Sequence, residues 1–514
     1  MEKVILPHIT NNITKNPSQH GFKAKHSTST CLHKITDTII KGFNQKQPPD
    51  RTIVVALDMS KAFDTVDTHK LINKLQHTNT PPEIIKYTAN YLKGRLAYTN
   101  YNNKSSSKKI LKTGVPQGGV LSPTLFNLYT SDIPKPPQNV QLETYADDMN
   151  TLSSHQKINI IEQRLQPYLN DIHTWTQQNN LQLNADKSTA TLFTPDPAEY
   201  NTEINLTINN DKIPTIKNPK ILGLTLDPKL NFSEHTKITK TKADKSINLL
   251  KALTTTKWGK QKETIISTYK TITRPILEYA STIWSPITDK HLNHTQTLQT
   301  IQNKALRIAT GCVSSTNTQH LHQETNILPI ETHLRLHASQ YRAKCQELNH
   351  PLNHLLTENP PPRKMKETIF NNTNYTTNIP PNATTPDTIK QHMKTTHTQI
   401  VTNHIKTIPP NKILNAHPPE ISQNEELLDR KTRCTLAQLR TGKSPFLNTY
   451  LNTINPTTYP SPNCPLCQQH KHTTQHLFNC PKISTTLTPL DLWSAPTEVA
   501  ELLETWMVGM GAQP

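Results

Sequence analysis

Apolar positions in the first half of the chain follow two different periods. Ile53–Asp58, IVVALD, is a short unbroken apolar run that ends in a carboxylate, and it predicts a buried strand. VQLETY, from Val140, alternates, and the shorter mixed run MNTL follows it. The two predict a hairpin with TYADDMN, Thr144 to Asn150, across its tip. A helix-like segment runs from Ser60 to about Leu75, and GVPQGG, Gly114–Gly119, is a loop. Ser122-Pro123 reads as an N-cap with proline at the first helical position, opening a helix through Leu125, Phe126 and Tyr129. Ile158, Ile161, Leu165, Leu169, Ile172 and Trp175 recur at helical spacing and give one core-facing stripe. ATLF and KILGLTLD read as strands of a small sheet. Residues 1–235 therefore predict a mixed α+β unit and not a regular βαβ repeat.

From about 236 to 350 the pattern turns helical, most clearly in ETIISTYKTITRPILEYASTIW and LQTIQNKALRIATG. Residues 351–420 are rich in Pro, Asn, Thr and His and predict a poorly ordered linker. Residues 421–514 carry a helical segment, ELLDRKTRCTLAQLRTG, and then a Cys/His cluster. No internal repeat is present.

Composition adds three constraints. The 514 residues include 40 prolines against 12 glycines and are only 33% hydrophobic, so part of the chain is expected to lie outside a packed core. A formal net charge of +18 is spread along the whole length. It serves solubility or attraction to a polyanion, nucleic acid first among them. Seven cysteines in such a length do not make a disulfide framework, which points to a reducing compartment. The N-terminal apolar run is too short for a signal peptide and no window approaches a membrane span, so no membrane partner is expected.

The adjacent carboxylates Asp147 and Asp148 repel each other. A polar turn alone explains many such pairs. Asp58, however, closes an apolar strand, and a strand end and a hairpin tip can meet at one sheet edge. Three carboxylates so placed need cations between them. That is the arrangement of a two-metal phosphoryl-transfer site, with two Mg²⁺ ions about 4 Å apart held by oxygen ligands.

The order LDMSKAFDTVD, GVPQGGVLSP, TYADD, LQLNADKS and ILGLTLD resembles the reverse transcriptases of non-LTR, LINE-type, jockey-like retrotransposons, and QHGFKAKHSTST resembles their fingers. The resemblance implies a right-hand polymerase: partial fingers over 1–50, a palm over 51–235, a helical thumb and following region over 236–350, then the linker and a zinc-knuckle segment. It implies an RNA-directed DNA polymerase adding dNTPs to a DNA 3′-hydroxyl on an RNA template, in target-primed fashion. Asp58, Asp147 and Asp148 would hold the metals, with the Met59 carbonyl an extra ligand and Asp148 the lesser one. Phe63 would block a ribose 2′-hydroxyl; its plain alternative is a core aromatic. Gln117 and the Gly118-Gly119 backbone would line the nucleotide and template pocket. Lys187 would protonate the pyrophosphate leaving group, or is a solvated surface lysine. Lys23 and Lys25 are candidate triphosphate contacts, and Asp64 orders local backbone. KWG, RPILEYASTIW and LQTIQNKALRIATG resemble thumb elements that would grip primer and template by charge, or are ordinary amphipathic packing.

Cys464, Cys467, His476 and Cys480 give C-x2-C-x8-H-x3-C. Three thiolates and an imidazole suit a tetrahedral structural Zn²⁺, with His470 and His472 as rival ligands. Short knuckles of this kind commonly bind single-stranded nucleic acid.

The chain departs from the family pattern at Gly119, where Ser or Thr is usual, so a looser pocket loop is expected. Neither the endonuclease domain of jockey-like elements nor a ribonuclease H acidic set is read in the sequence, and its short start leads to the expectation of an N-terminally truncated copy. The alternative function is therefore a catalytically decayed remnant that binds nucleic acid by charge. A group II intron maturase is a third reading, less like the downstream motifs. A nuclear site with a cytoplasmic ribonucleoprotein phase follows from target-primed copying; oligomeric state is left open.

Overall fold

The computed structural model describes residues 1–13, 16–45, 47–287, 292–347, 349–358, 365–375 and 385–510. The chain forms two compact units. The first comprises Met1–His235, Thr282–Asp289 and Ala338–Thr385, and the second Thr236–Ser281, Lys290–His337 and Pro386–Pro514. Both are built of helices, and the first also holds the main sheet, so the chain mixes helix and sheet.

The first unit is centred on an antiparallel sheet of four strands: β1 Arg51–Met59, β2 Val140–Tyr145, β3 Asp148–His155 and β4 Leu183–Phe193, in the order β2-β3-β1-β4. Ile53, Val55, Leu57 and Met59 share a core with Ile161, Leu165, Leu169 and Ile172 of the helix Ile158–Gln178. Val54 is buried as well, and the helix Thr28–Phe43 packs on β1, β2 and β3. A central strand with both faces covered has no solvent side, which is why its sequence is an unbroken apolar run. Ser27 and Thr30 form a capping box at the start of that covering helix.

Local details depart from the pattern reading. The segment expected as one helix from Ser60 is two short helices, Ala62–Thr65 and Thr68–Gln76. Val66 breaks the first, and the Asp67 carboxylate accepts from the His69 and Lys70 amides to start the second. In the helix Ser122–Tyr129 the N-cap is Leu121, so Pro123 stands at the second helical position. KILGLTLD folds on itself, Lys220–Ile221 against Leu224–Thr225, apart from the main sheet.

The expected linker 351–420 is largely structured where it is described. Leu352, Leu355, Ile369, Phe370 and Tyr375 bury themselves with Ala338 and Cys345 in the first unit. Pro386–Thr407 is a 22-residue helix of the second unit that buries Ile389 and Met393. Sparse apolar residues at useful spacings outweigh the polar average there. Residues 359–364 and 376–384 of that stretch lie outside the described residues.

The second unit is helical. Leu436, Leu439, Leu477, Trp493, Leu503 and Trp506 make one of its cores. Beside it the fully buried Arg440 donates to Glu324 at 2.8 Å and to Glu425, and Lys262 lies 3.4 and 3.3 Å from the same two carboxylates. Among the described residues no helix is long and apolar enough to cross a membrane.

Candidate functional site

The register of the sheet brings the three aspartates to one end of adjacent strands. Leu57 of β1 faces Met149 of β3, so Asp58 and Asp148 stand one step further along each strand at the same edge. Tyr145 pairs with Asp148, leaving Ala146 and Asp147 as the two-residue turn. Burial first, then the charges of Asp147 and Asp58, push the Asp148 carboxyl above its usual range. On its other side Asp58 pairs with Asn184, while Ala56 pairs with Thr189, so β4 bulges between them. Lys187 sits in that bulge, exposed, with its amide donating to the Asn184 side chain at 3.2 Å. Ser188 closes the bulge: its hydroxyl accepts from the Asp58 amide at 3.2 Å and donates to the Asn184 carbonyl at 2.7 Å.

Ala146 has φ +56, a left-handed conformation unfavourable for any residue with a Cβ. The side chain of Gln19 holds it there. Its Oε1 accepts from the Ala146 amide at 2.8 Å, and its Nε2 donates to the Ala146 carbonyl at 3.1 Å. Gln19 is buried, and the backbone around it also pairs with the hairpin: Thr144 N–H donates to Ser18 O and His20 N–H to Thr144 O, both at 2.8 Å. His20 bridges the Glu143 carboxylate at 2.7 Å and the Thr30 hydroxyl at 2.8 Å. Burial outweighs the Glu143 contact and holds the His20 imidazole below its ordinary range. The residues QHG are thus a clamp on the acidic turn, a role that reading them as a fingers motif did not reveal.

A cleft of about 460 Å³ opens beside Asp147, lined by Phe22, Lys61, Phe63, Gln117, Gly118 and Gly119 among others. Five residues singled out from the sequence, Asp147, Phe63, Gln117, Gly118 and Gly119, meet there. Phe63 stacks on Phe126 at 4.5 Å between centroids and meets Phe22 edge-on at 6.2 Å, so it is both a core aromatic and a cleft wall. Gln117 Nε2 donates to Asp64 Oδ1 at 3.0 Å, which ties the loop to the Ala62–Thr65 helix. Gly118 has φ +88 with open space where a side chain would be. At Gly119 a Cβ would lie 2.7 Å from Tyr91 Oη and 2.8 Å from Ser122 Oγ. The loop is therefore close-packed at Gly119, in contrast to the looser loop expected.

Lys23 and Lys25 do not line this cleft. Lys23 donates to the Asn16 carbonyl at 2.8 Å, and Lys25 lies 3.7 Å from Glu347. The lysine at the cleft is Lys61, and Phe22 forms another wall. Both have positive φ, +50 and +57, in turns that no periodicity marks.

In the second unit Cys464, Cys467, His476 and Cys480 offer ligand atoms that all lie within 4.8 Å of one another. Cys464 Sγ is 3.9 Å from Cys480 Sγ, and Cys467 Sγ is 3.4 Å from His476 Nε2. The edges of a tetrahedron with zinc–ligand bonds of about 2.3 Å to sulfur and 2.0 Å to nitrogen are about 3.8 and 3.5 Å, so the donor set fits such an ion. Burial, and then the neighbouring Cys464 and Cys467 thiols, raise the Cys480 thiol to about 11. The rivals do not join them. His472 is buried against Trp506 at 5.2 Å with Nδ1 accepting from the Asn448 amide, and only the His470 ring approaches, 5.6 Å from that of His476. Cys464 and Cys480 belong to the hydrophobic core of the unit, so this cluster is part of a packed fold.

Residues 1–226 match the family described as reverse transcriptase (RNA-dependent DNA polymerase). The relatives narrow the class. The chain is 29% identical over 362 residues to the probable RNA-directed DNA polymerase from transposon BS of Drosophila melanogaster, covering 68% of this chain and 39% of that one. It is 27% identical over 356 residues to the RNA-directed DNA polymerase from mobile element jockey of the same organism, covering 66% and 37%. Both are RNA-directed DNA polymerases of mobile elements, one of them jockey itself, and the jockey-like resemblance read from the motifs is borne out. The chain spans about two fifths of the length of these relatives. Among solved structures, apo telomerase from Candida tropicalis covers 69% of this chain and 58% of its own at 11% identity, with a TM-score of 0.35.

Proposed function

We propose that this chain is an RNA-directed DNA polymerase that extends a DNA 3′-hydroxyl on an RNA template, in the target-primed manner of a non-LTR retrotransposon. The observation that carries the reading is the strand register that puts Asp58, Asp147 and Asp148 at one sheet edge beside the Phe63–Gln117–Gly118 cleft. Residues 51–235 act as the palm, 1–50 as fingers and 236–350 as the thumb and following region. Asp58, Asp147 and Asp148 would hold two Mg²⁺ ions, which when bound activate the 3′-hydroxyl and neutralise the triphosphate. Phe63 closes the cleft wall against a ribose 2′-hydroxyl and so favours deoxynucleotides. Gln117 and the open Gly118 backbone face the nucleotide and template. Lys187 donates a proton to the leaving pyrophosphate, and Lys61, in place of Lys23 and Lys25, meets phosphate at the cleft. The Cys464–Cys467–His476–Cys480 set takes a structural Zn²⁺. The protein works at chromosomal DNA, after a cytoplasmic ribonucleoprotein phase.

Primer extension on an RNA template, with purified protein, Mg²⁺ and dNTPs, tests this. Asp147→Ala is expected to lose at least about a thousandfold in rate, equivalent to about 4 kcal/mol of barrier. Extension by the variant at the wild-type rate would sink the site assignment. Failure of both proteins with RNA binding retained would leave charge-driven binding as the surviving property.

A further inference from the structure

Residues 93–112 form a double ribbon that buries almost nothing. Arg95–Ala97 pairs with Lys109–Leu111, and Asn100–Tyr101 pairs with Lys104–Ser105 beyond it. Such short two-stranded pieces have little stability of their own in water. Yet Leu96 and Ile110, directly opposed in register, are 57% and 68% exposed, and Tyr98 and Tyr101 are 53% and 77% exposed. The segment also carries Lys93, Arg95, Lys104, Lys108, Lys109 and Lys112 and no acidic residue. Acid is absent all the way from Ile84 to Ser131. Among the described residues none of those five lysines takes part in an ion pair. A solvated charged face has no use for exposed tyrosines and aliphatics in the same ribbon. Cations to meet phosphates and ring faces to meet bases are what a single-stranded nucleic acid requires, with no sequence to be read.

The ribbon is fastened at its base to the loop of the cleft. Arg95 Nη2 donates to the Thr113 and Gly114 carbonyls, both at 2.6 Å. The Gly114 amide donates to Val66 O at 2.7 Å and the Val115 amide to Phe63 O at 2.9 Å, and the chain then enters Gln117–Gly119. A strand lying along the ribbon is thereby led towards the cleft.

We infer that the 93–112 ribbon is a binding surface for single-stranded RNA, with Tyr98 and Tyr101 stacking on bases and Lys104, Lys108, Lys109 and Lys112 meeting phosphates. The choice of RNA rests on the polymerase reading above. The test is fluorescence anisotropy of a labelled, unstructured RNA oligonucleotide with the full chain, over a series of salt concentrations and without Mg²⁺ or dNTPs. The comparison protein is the wild-type chain, whose RNA binding without Mg²⁺ or dNTPs is read independently of whether it polymerises, so failure of this proposal and failure of the polymerase reading stay distinguishable. Tyr98→Ala with Tyr101→Ala should weaken binding at least about fivefold per tyrosine, while Tyr101→Phe retains it. Replacing the four lysines by Gln should lower the slope of log affinity against log salt by about 0.7 for each phosphate left without its cation. All these side chains are exposed, so circular dichroism should report an unchanged fold. Wild-type affinity and slope in both variants would overturn the assignment. So would weakening in the lysine variant alone, which marks a generic charged patch, or capture of phosphatidylserine vesicles in place of RNA.

Discussion

Partial burial, and after it the charges of Asp147 and Asp58, make the Asp148 carboxyl keep its proton to higher pH in the folded chain. For an acid whose folded value is raised, the folded state binds the proton more tightly. The group then costs stability above that value, and the cost fades as pH falls to the ordinary carboxylate range of about 4. Asp148→Asn is therefore expected to raise the melting temperature of the metal-free protein near neutral pH, with the gain shrinking towards about pH 4 and shrinking likewise when Mg²⁺ is added to both proteins. An equal gain at all pH values would mean that ionisation of Asp148 is not the source of the cost. At this scale the sequence was legible where chemistry is local. A carboxylate ending an apolar strand, and two more in a turn, are visible without a fold. Phe22 and Lys61 were not, because each reaches the cleft through a single left-handed residue. Lys23 and Lys25 were chosen from an abundance of lysines, and their local contacts lie elsewhere.

The hairpin of β2 and β3 could be read from its alternation, but what fixes its tip could not. A two-residue turn with positive φ at its first position normally asks for glycine there, and this chain has Ala146. Gln19, 127 residues away, supplies the hydrogen bonds that hold it. Gln19→Ala should leave a buried, strained turn with two backbone groups unpaired, costing about 1–3 kcal/mol. The expected signature is a lower extension rate with RNA binding unchanged, measured on protein still folded by circular dichroism. Gln19→Glu keeps the acceptor for the Ala146 amide and should retain more activity than the alanine. Loss of RNA binding along with rate would point to a general collapse of the N-terminal segment. The β4 bulge, the broken helix after Ser60 and the helix Pro386–Thr407 were missed for a related reason. Each is decided by one cap, one register shift or two apolar residues, and window averages dilute such signals.

For the molecule as a whole, the division of labour is chemical. The first unit carries the acidic edge, the cleft and the acid-free ribbon; the second carries a buried ionic cluster and a four-donor metal set inside a hydrophobic core. Motif order made the first unit's class readable from sequence, whereas the second's packing rests on contacts such as Arg440 with Glu324 that no spacing announces. Removing metal with a strong chelator is expected to lower the melting temperature of the second unit by about 10 °C or more, with loss of the near-ultraviolet signal of Trp493 and Trp506, and Cys480→Ser should reproduce it. An unchanged melt would mean that the four donors do not hold an ion that the fold depends on. The location of those donors has a consequence for the life of the protein in a cell. If these cysteines hold zinc as proposed, their place in a core, unlike a detachable finger, would make the ion a condition of escaping quality control. A copy translated where zinc is scarce would present Leu477, Phe478 and Trp506 to chaperones and proteases. Metal nutrition would then ration how many copies of the protein persist.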